Sequence, residues 1–194
     1  MIDMAVIGAS WGGLNALTTV LSSLVCDELR ATVVIAQHRS PESSEGVLPQ
    51  LLGDSSAVPV REASDKETIE PATIYLAPPD YHLLIEEGHF ALATDERVHF
   101  ARPSIDVLFE TAAEVYGERV LGVILTGANA DGAAGLRSIH DHGGLTVVQD
   151  PETAEKSIMP AAALAATPVD AMLALDDIGP FLVRHCCGER ERVR

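Results

Sequence analysis

The chain has 194 residues, 47% of them hydrophobic, and carries 13 Lys and Arg against 29 Asp and Glu, for a formal net charge of −16. That length suits one domain with a sizeable core, and so acidic a surface argues against nucleic acid or an anionic membrane as a partner. No apolar run approaches the roughly 18–20 residues of a membrane span, and the start, Met1-Ile2-Asp3-Met4, has no basic leader, so the cytoplasm is the expected compartment.

Met4 to Gly8 is a short apolar run closing on glycine, the pattern of a buried strand. From Gly12 to about Val25, Leu14, Leu17, Leu21 and Leu24 recur at three- and four-residue steps and form a helical stripe. Thr32 to Gln37 is a second buried strand, rich in β-branched residues. Strand, helix and strand in this order imply a βαβ unit with parallel strands. A short helix follows near Gly46 to Leu52, then short strands at Val58 to Arg61 and Ala72 to Ala77. His82 to Glu86 and His89 to Thr94 flank Glu87-Gly88, a good hairpin turn, and their alternating character places the hairpin at a sheet edge. Pro103 to Tyr116 is a helix with Ile105, Leu108, Phe109 and Ala112 on one face. Val120 to Leu125 is a third core strand, and Ala133 to His142 a helix closed by Gly143-Gly144. A strand over Leu145 to Gln149, a helix over Ile158 to Ala166, a strand over Ala171 to Leu175 and a helix over Asp176 to Val183 complete the order. The expected fold class is α/β, a three-layer, doubly wound, mainly parallel sheet with a small antiparallel hairpin. It occupies residues 1–184, with a charged tail over 185–194.

Ligands of such sheets bind at the carboxyl ends of the strands, so the residues just after each strand carry the functional reading. The first strand ends in Gly8-Ala9-Ser10-Trp11-Gly12-Gly13, where Gly8, Ser10 and Gly12 match G-x-S-x-G between a strand and a helix. This is the context of a nucleophile elbow, with Ser10 at a helix N-terminus whose free N–H groups can hold an oxyanion. The same residues also fit a Gly-rich turn with Ser10 as helix cap, or a nucleotide-binding loop. The second strand ends in Gln37-His38. A dinucleotide site wants an acidic residue there; an imidazole at the Ser10 end of the sheet suits a general base instead. The third core strand runs into Thr126-Gly127-Ala128-Asn129-Ala130-Asp131-Gly132, where Asp131 is either the cap of the next helix or the carboxylate that orients His38. The order Ser10, His38, Asp131 differs from the order of α/β-hydrolases.

Other candidates carry less. Cys26, Cys186 and Cys187 form neither a disulfide framework nor a zinc pattern. His140-Asp141-His142 lacks a third ligand at a useful spacing, so no metal is expected.

Six ordered segments resemble the catalytic domain of the CheB-type protein-glutamate methylesterases. They are Val6-Ile7-Gly8-Ala9-Ser10-x-Gly12-Gly13, Gln37-His38, Ile74-Tyr75-Leu76-Ala77-Pro78-x-x-Tyr81-His82, Arg102-Pro103-Ser104-Ile105-Asp106-Val107-Leu108-Phe109, Gly122-Val123-Ile124-Leu125-Thr126-Gly127 and Asp131-Gly132-Ala133-Ala134-Gly135. The resemblance implies a serine hydrolase that removes methyl esters from glutamate side chains in the cytoplasmic part of methyl-accepting chemotaxis receptors, with deamidation of receptor glutamines as a second activity. It puts the catalytic serine, histidine and aspartate on Ser10, His38 and Asp131 and implies no metal or organic cofactor. Three departures stand out. Trp11 replaces a small hydroxyl residue, Ala128-Asn129 replaces Met-Gly, and no receiver domain precedes Ser10. A receiver would need on the order of a hundred residues where nine stand, and Met1 at the strand start favours a stand-alone catalytic domain. The competing expectation is a catalytically weak homologue that binds receptors or a signalling partner.

Overall fold

The computed structural model describes residues 1–25, 28–44 and 46–188. In chain order the elements are β1 (Met4–Ala9), α1 (Gly13–Ser23), β2 (Glu28–Leu29), β3 (Thr32–Gln37), α2 (Val47–Gly53), β4 (Val60–Glu62), β5 (Ile74–Leu76), β6 (His82–Glu86) and β7 (His89–Ala93). There follow α3 (Ile105–Tyr116), a 3₁₀ turn (Gly117–Arg119), β8 (Val120–Ile124), α4 (Ala133–Asp141), β9 (Leu145–Gln149), α5 (Ile158–Ala166), β10 (Ala171–Leu173), α6 (Leu175–Cys186) and β11 (Cys187–Gly188).

Seven strands make one sheet in the order β10-β9-β8-β1-β3-β5-β4, and every neighbouring pair is parallel. β1 and β3 are buried along their whole length, which is why their sequences are unbroken apolar runs rather than alternating ones. Their alternate residues feed two cores. Ala5, Ile7, Val33 and Ile35 meet Leu17, Val20 and Leu21 of α1 and Ile178 and Leu182 of α6. Met4, Val6, Val34 and Ala36 face the opposite layer, with Leu108 and Phe109 of α3, Leu136 of α4 and Met159 of α5. The chain thus winds outward from β1 in both directions, and the crevice at the carboxyl ends of β1, β3 and β8 lies where the winding reverses.

The expected α/β class and the hairpin are present, with two corrections. The β6–β7 hairpin is a separate antiparallel sheet and not an edge of the main one. It packs on α3, where Leu83, Ile85 and Phe90 join the core, and the edge position goes to β4. The last helix runs on to Cys186, and Cys187–Gly188 pairs with Glu28–Leu29 in a second small antiparallel sheet. Order therefore continues past residue 184, while residues 189–194 of the charged tail lie outside the described residues. Cys187 is disulfide-bonded, which the cysteine pattern did not suggest, and Cys186 is a buried free thiol; Cys26 lies outside the described residues. Burial pushes the Cys186 thiol up to about 12 and keeps it unreactive.

Candidate active site

Ser10, His38 and the Thr126–Asp131 loop leave three adjacent strands, β1, β3 and β8. The parallel ladder continues past the strand ends and locks them together. Ser10 N–H donates to Thr126 O at 3.0 Å, His38 N–H to Ala9 O at 3.0 Å and Leu125 N–H to Gly8 O at 2.9 Å. Gln37 adds a side-chain clamp, its Nε2 donating to Ser10 O and His38 O, both at 2.9 Å. Gly12 turns the chain into α1 with φ +79°, a conformation that favours glycine.

Asp131 is fully buried and its carboxylate meets four donors. His38 Nε2 lies 2.7 Å from Oδ2. Ser104 Oγ donates to Oδ1 at 2.9 Å, Ile105 N–H to Oδ2 at 2.7 Å and Asp106 N–H to Oδ1 at 3.0 Å. Burial pushes its pKa up, but the His38 hydrogen bond and the Ile105 and Asp106 amides outweigh it, and the carboxyl titrates below its ordinary range. Asp131 is therefore an anion, so the His38 nitrogen facing it carries the proton and Nδ1 is the nitrogen left to accept one.

Asp131 is not the cap of the next helix that the sequence allowed. The carboxylate orients His38 and also caps a helix, but the helix is α3 and not α4. α4 is capped in return from α3, where Asp106 Oδ1 accepts Gly132 N–H at 2.9 Å and Gly135 N–H at 2.7 Å. Gly135 makes this exchange possible, since a Cβ there would lie 2.6 Å from Phe109 Cβ and 3.0 Å from Asp106 Cα. Burial is the main reason the Asp106 carboxyl rises to about 6; the Asp131 charge adds to it, and the Gly135 and Gly132 amides oppose it.

Ser10 is held differently. Its backbone is pinned, but Oγ has no hydrogen-bond partner among the described residues. Its own N–H is spent on Thr126, so the expected oxyanion donors narrow to the N–H groups of Trp11 and Gly12, which have no partner among the described residues. Trp11 stands at the rim, 61% exposed, with Nε1–H donating to Glu155 Oε1 at 3.0 Å and Lys156 Nζ 5.6 Å from the ring centre. Two clefts flank His38. One, of about 340 Å³, has apolar walls from Leu14, Val47 and Leu51; the other, of about 370 Å³, also takes in Asn129.

The family model for CheB methylesterase matches residues 5–182. The chain belongs to the CheB methylesterase family. A Leptospira interrogans protein, provisionally named protein-glutamate methylesterase/protein-glutamine glutaminase, is 49% identical over 183 residues, covering 94% of each chain. Protein-glutamate methylesterase/protein-glutamine glutaminase 1 of Cupriavidus pinatubonensis is 38% identical over 188 residues, covering 96% of this chain but 54% of its own length. The crystal structure of the Thermotoga maritima CheB methylesterase catalytic domain superposes with a TM-score of 0.88 at 30% identity, covering 95% of this chain and 98% of that one. The methylesterase domain is thus the whole of what this chain shares with the longer relative.

Ser104, Asp106, Gln37 and Thr126 had no assigned role in the sequence. Ser104 and Asp106 sit in the Arg102–Phe109 segment that carries the family resemblance, and Gln37 directly precedes His38. Their work is to hold backbone and carboxylate, and spacing along the chain does not display it.

Proposed function

We propose that this domain hydrolyses γ-methyl esters of glutamate side chains in the cytoplasmic part of chemotaxis receptors, with Ser10, His38 and Asp131 as its catalytic unit. The domain is a carboxylic ester hydrolase of the protein-glutamate methylesterase kind, and the glutamine deamidation named for its relatives follows the same route. The observation that carries the proposal is the 2.7 Å His38–Asp131 bond beside the serine of a G-x-S-x-G turn.

Ser10 Oγ attacks the ester carbonyl while its proton passes to His38 Nδ1. The tetrahedral oxyanion is met by the Trp11 and Gly12 N–H groups at the start of α1. Asp131 stabilises the imidazolium without taking its proton. Collapse breaks the acyl–oxygen bond, and His38 returns the proton to the departing methoxide, releasing methanol. Water, deprotonated by His38, then attacks the glutamyl–Ser10 ester; the acyl–Oγ bond breaks, His38 returns the proton to Ser10 Oγ, and the glutamate leaves as its free carboxylate. With a glutamine substrate the leaving group is ammonia. The route needs no metal or organic cofactor. No helix among the described residues is long and apolar enough to cross a membrane.

The test is methanol release from a methylated receptor cytoplasmic fragment. Native protein should release it and Ser10→Ala should not. Equal release from both would overturn the mechanism. Binding without release by the native protein would favour the receptor-binding homologue instead.

A further inference from the structure

The 370 Å³ cleft beside His38 contradicts the charge of the molecule around it. In a chain of net charge −16, its walls include Arg39, Arg97, His99 and Arg102, and no Asp or Glu among the described residues. The three arginines have carboxylate partners that do not line the cleft. Arg39 Nη2 reaches Glu62 Oε1 at 2.6 Å, while Arg97 and Arg102 share Asp80 Oδ1 at 3.3 and 2.8 Å. Two more carboxylates stand against wall histidines, Asp106 Oδ2 at 3.5 Å from His99 Nε2 and Asp131 Oδ2 at 2.7 Å from His38 Nε2, so the nearby acids are each engaged by a basic side chain and only basic and neutral side chains line the cleft itself.

Arg39 is the unusual member. Its side chain is 8% exposed, Nη2 also donates to Ala77 O at 2.8 Å, and Nε and Nη1 are buried with no partner among the described residues. Unpaired buried donors on a cation are costly, and a fold that keeps them next to its catalytic histidine has a use for the charge. The outer wall points the same way. The turn Val98–Ala101 holds His99 and Phe100 at φ 48° and 63°, a conformation rare for such side chains, and Phe100 is 97% exposed. An aromatic presented on a strained turn beside a basic cleft is ready to be covered by a ligand.

We infer that this cleft selects the substrate segment: it takes carboxylate side chains flanking the glutamyl ester, so that the enzyme prefers esters embedded in acidic polypeptide. This rests on the hydrolase reading above. The positive cleft is a local exception on a surface that otherwise repels acidic chains, so it sets where along such a chain the domain docks. Arg39 supplies fixed charge behind His38, Arg97 supplies the exposed contact, and Phe100 covers the apolar stems of the flanking residues.

Two fluorescein-labelled peptides test this, each with one central glutamate γ-methyl ester, flanked in one by glutamates and in the other by glutamines. Binding is measured by anisotropy on full-length Ser10→Ala, which separates docking from turnover. The acidic peptide should bind with a Kd about tenfold lower at low salt, and 0.5 M NaCl should close most of that gap, about the behaviour of a charge-steered contact. Adding Arg97→Gln should shrink the ratio to about threefold or less. Arg39→Gln should shrink it further if the variant folds; the exposed Arg97 keeps the test decisive if it does not. Equal affinity for the two peptides, or a ratio unchanged by Arg97→Gln, overturns the inference. If the native protein releases methanol from neither peptide while the affinity ratio holds, the hydrolase reading fails and the cleft's selectivity stands.

Discussion

Ser10 and Asp131 stand at the two ends of the proposed relay and are built in opposite ways. Asp131 is buried and over-determined, with four donors from β3's end and the start of α3 on one carboxylate. Ser10 has a pinned backbone and a hydroxyl with no hydrogen-bond partner among the described residues, beside an exposed tryptophan. The difference assigns the costs of preorganisation. The orientation of His38 is set during folding, when burying a carboxylate can be offset by helix amides. The serine rotamer is left to be set by substrate, as apo hydrogen bonds of catalytic groups often are. Asp131 should therefore matter to both stability and turnover, and Ser10 to turnover alone.

The largest effect should come from Ser10→Ala. Turnover should fall by about three orders of magnitude or more, while unfolding free energy stays within about 0.5 kcal/mol of the native value. His38→Ala should lose as much turnover, and the double variant little more, because the two act as one unit. Urea melts and methanol release on the same samples check both; a large stability loss in Ser10→Ala would break the contrast.

Asp131→Asn comes next and should fail on both counts. Donors face both carboxylate oxygens, so the new amide nitrogen must point at a donor whichever way it turns. A loss of about 1–3 kcal/mol is expected for that mismatch, together with a fall in kcat. Ser104→Ala removes only one neutral donor and should cost less in both. A variant Asp131→Asn as stable as the native protein would show that the carboxylate is not the anchor described.

A smaller effect lies in the partner carboxylate. Burial raises the Asp106 carboxyl from 3.8 to about 6, so the folded state holds this proton more tightly than the unfolded one. Its contribution to stability is then greatest at low pH and falls as pH rises through that window. Asp131, shifted downward, contributes in the opposite sense, and its stabilisation is lost only as pH falls below the ordinary carboxylate range. Asp106→Asn keeps the Oδ1 cap of α4 but cannot ionise. Relative to the native protein, its unfolding free energy should rise between about pH 4 and pH 6. A constant difference across that range would remove Asp106 from the cross-capped pair.

The smallest effect belongs to the rim. Trp11→Ala should weaken binding of a receptor fragment by somewhat more than about 1 kcal/mol and leave stability nearly untouched, since the indole is mostly exposed and tied to Glu155. Trp11 is the single tryptophan of the chain, so its emission should shift when the fragment binds to Ser10→Ala. Unchanged emission at saturation would mean the fragment docks elsewhere.

The α/β order and the positions of Ser10, His38 and Asp131 were legible in the chain because they follow from local physics. Apolar runs such as Thr32–Gln37 and Leu145–Gln149 mark buried parallel strands, the second with only Leu145 half-buried, and both occupy the expected residues. Residues that follow such strands gather at one sheet edge whatever the rest of the chain does. The edge assignment of the hairpin failed because alternation reports that one face of a strand is buried, not what buries it; here α3 does. The ends of α6 and the Glu28–Leu29 pairing were missed because two-residue strands exist only through their partner.

What only the tertiary structure decided is which helix each carboxylate caps. From the sequence, Asp131 is a candidate cap for the helix that follows it, and Asp106 has no assigned role. In the fold, α3 and α4 cross closely enough at Gly135 that each aspartate reaches the amides of the other's helix. A cap of this kind depends on the distance between helices set by packing, and no spacing along the chain encodes it. The basic cleft has the same origin. Arg39 follows β3, while Arg97 and Arg102 follow the hairpin, and they add to one field only because α3 carries that hairpin up to the sheet edge beside His38. Net charge is a sum over composition, whereas a local field is a sum over distance, and distance belongs to the fold.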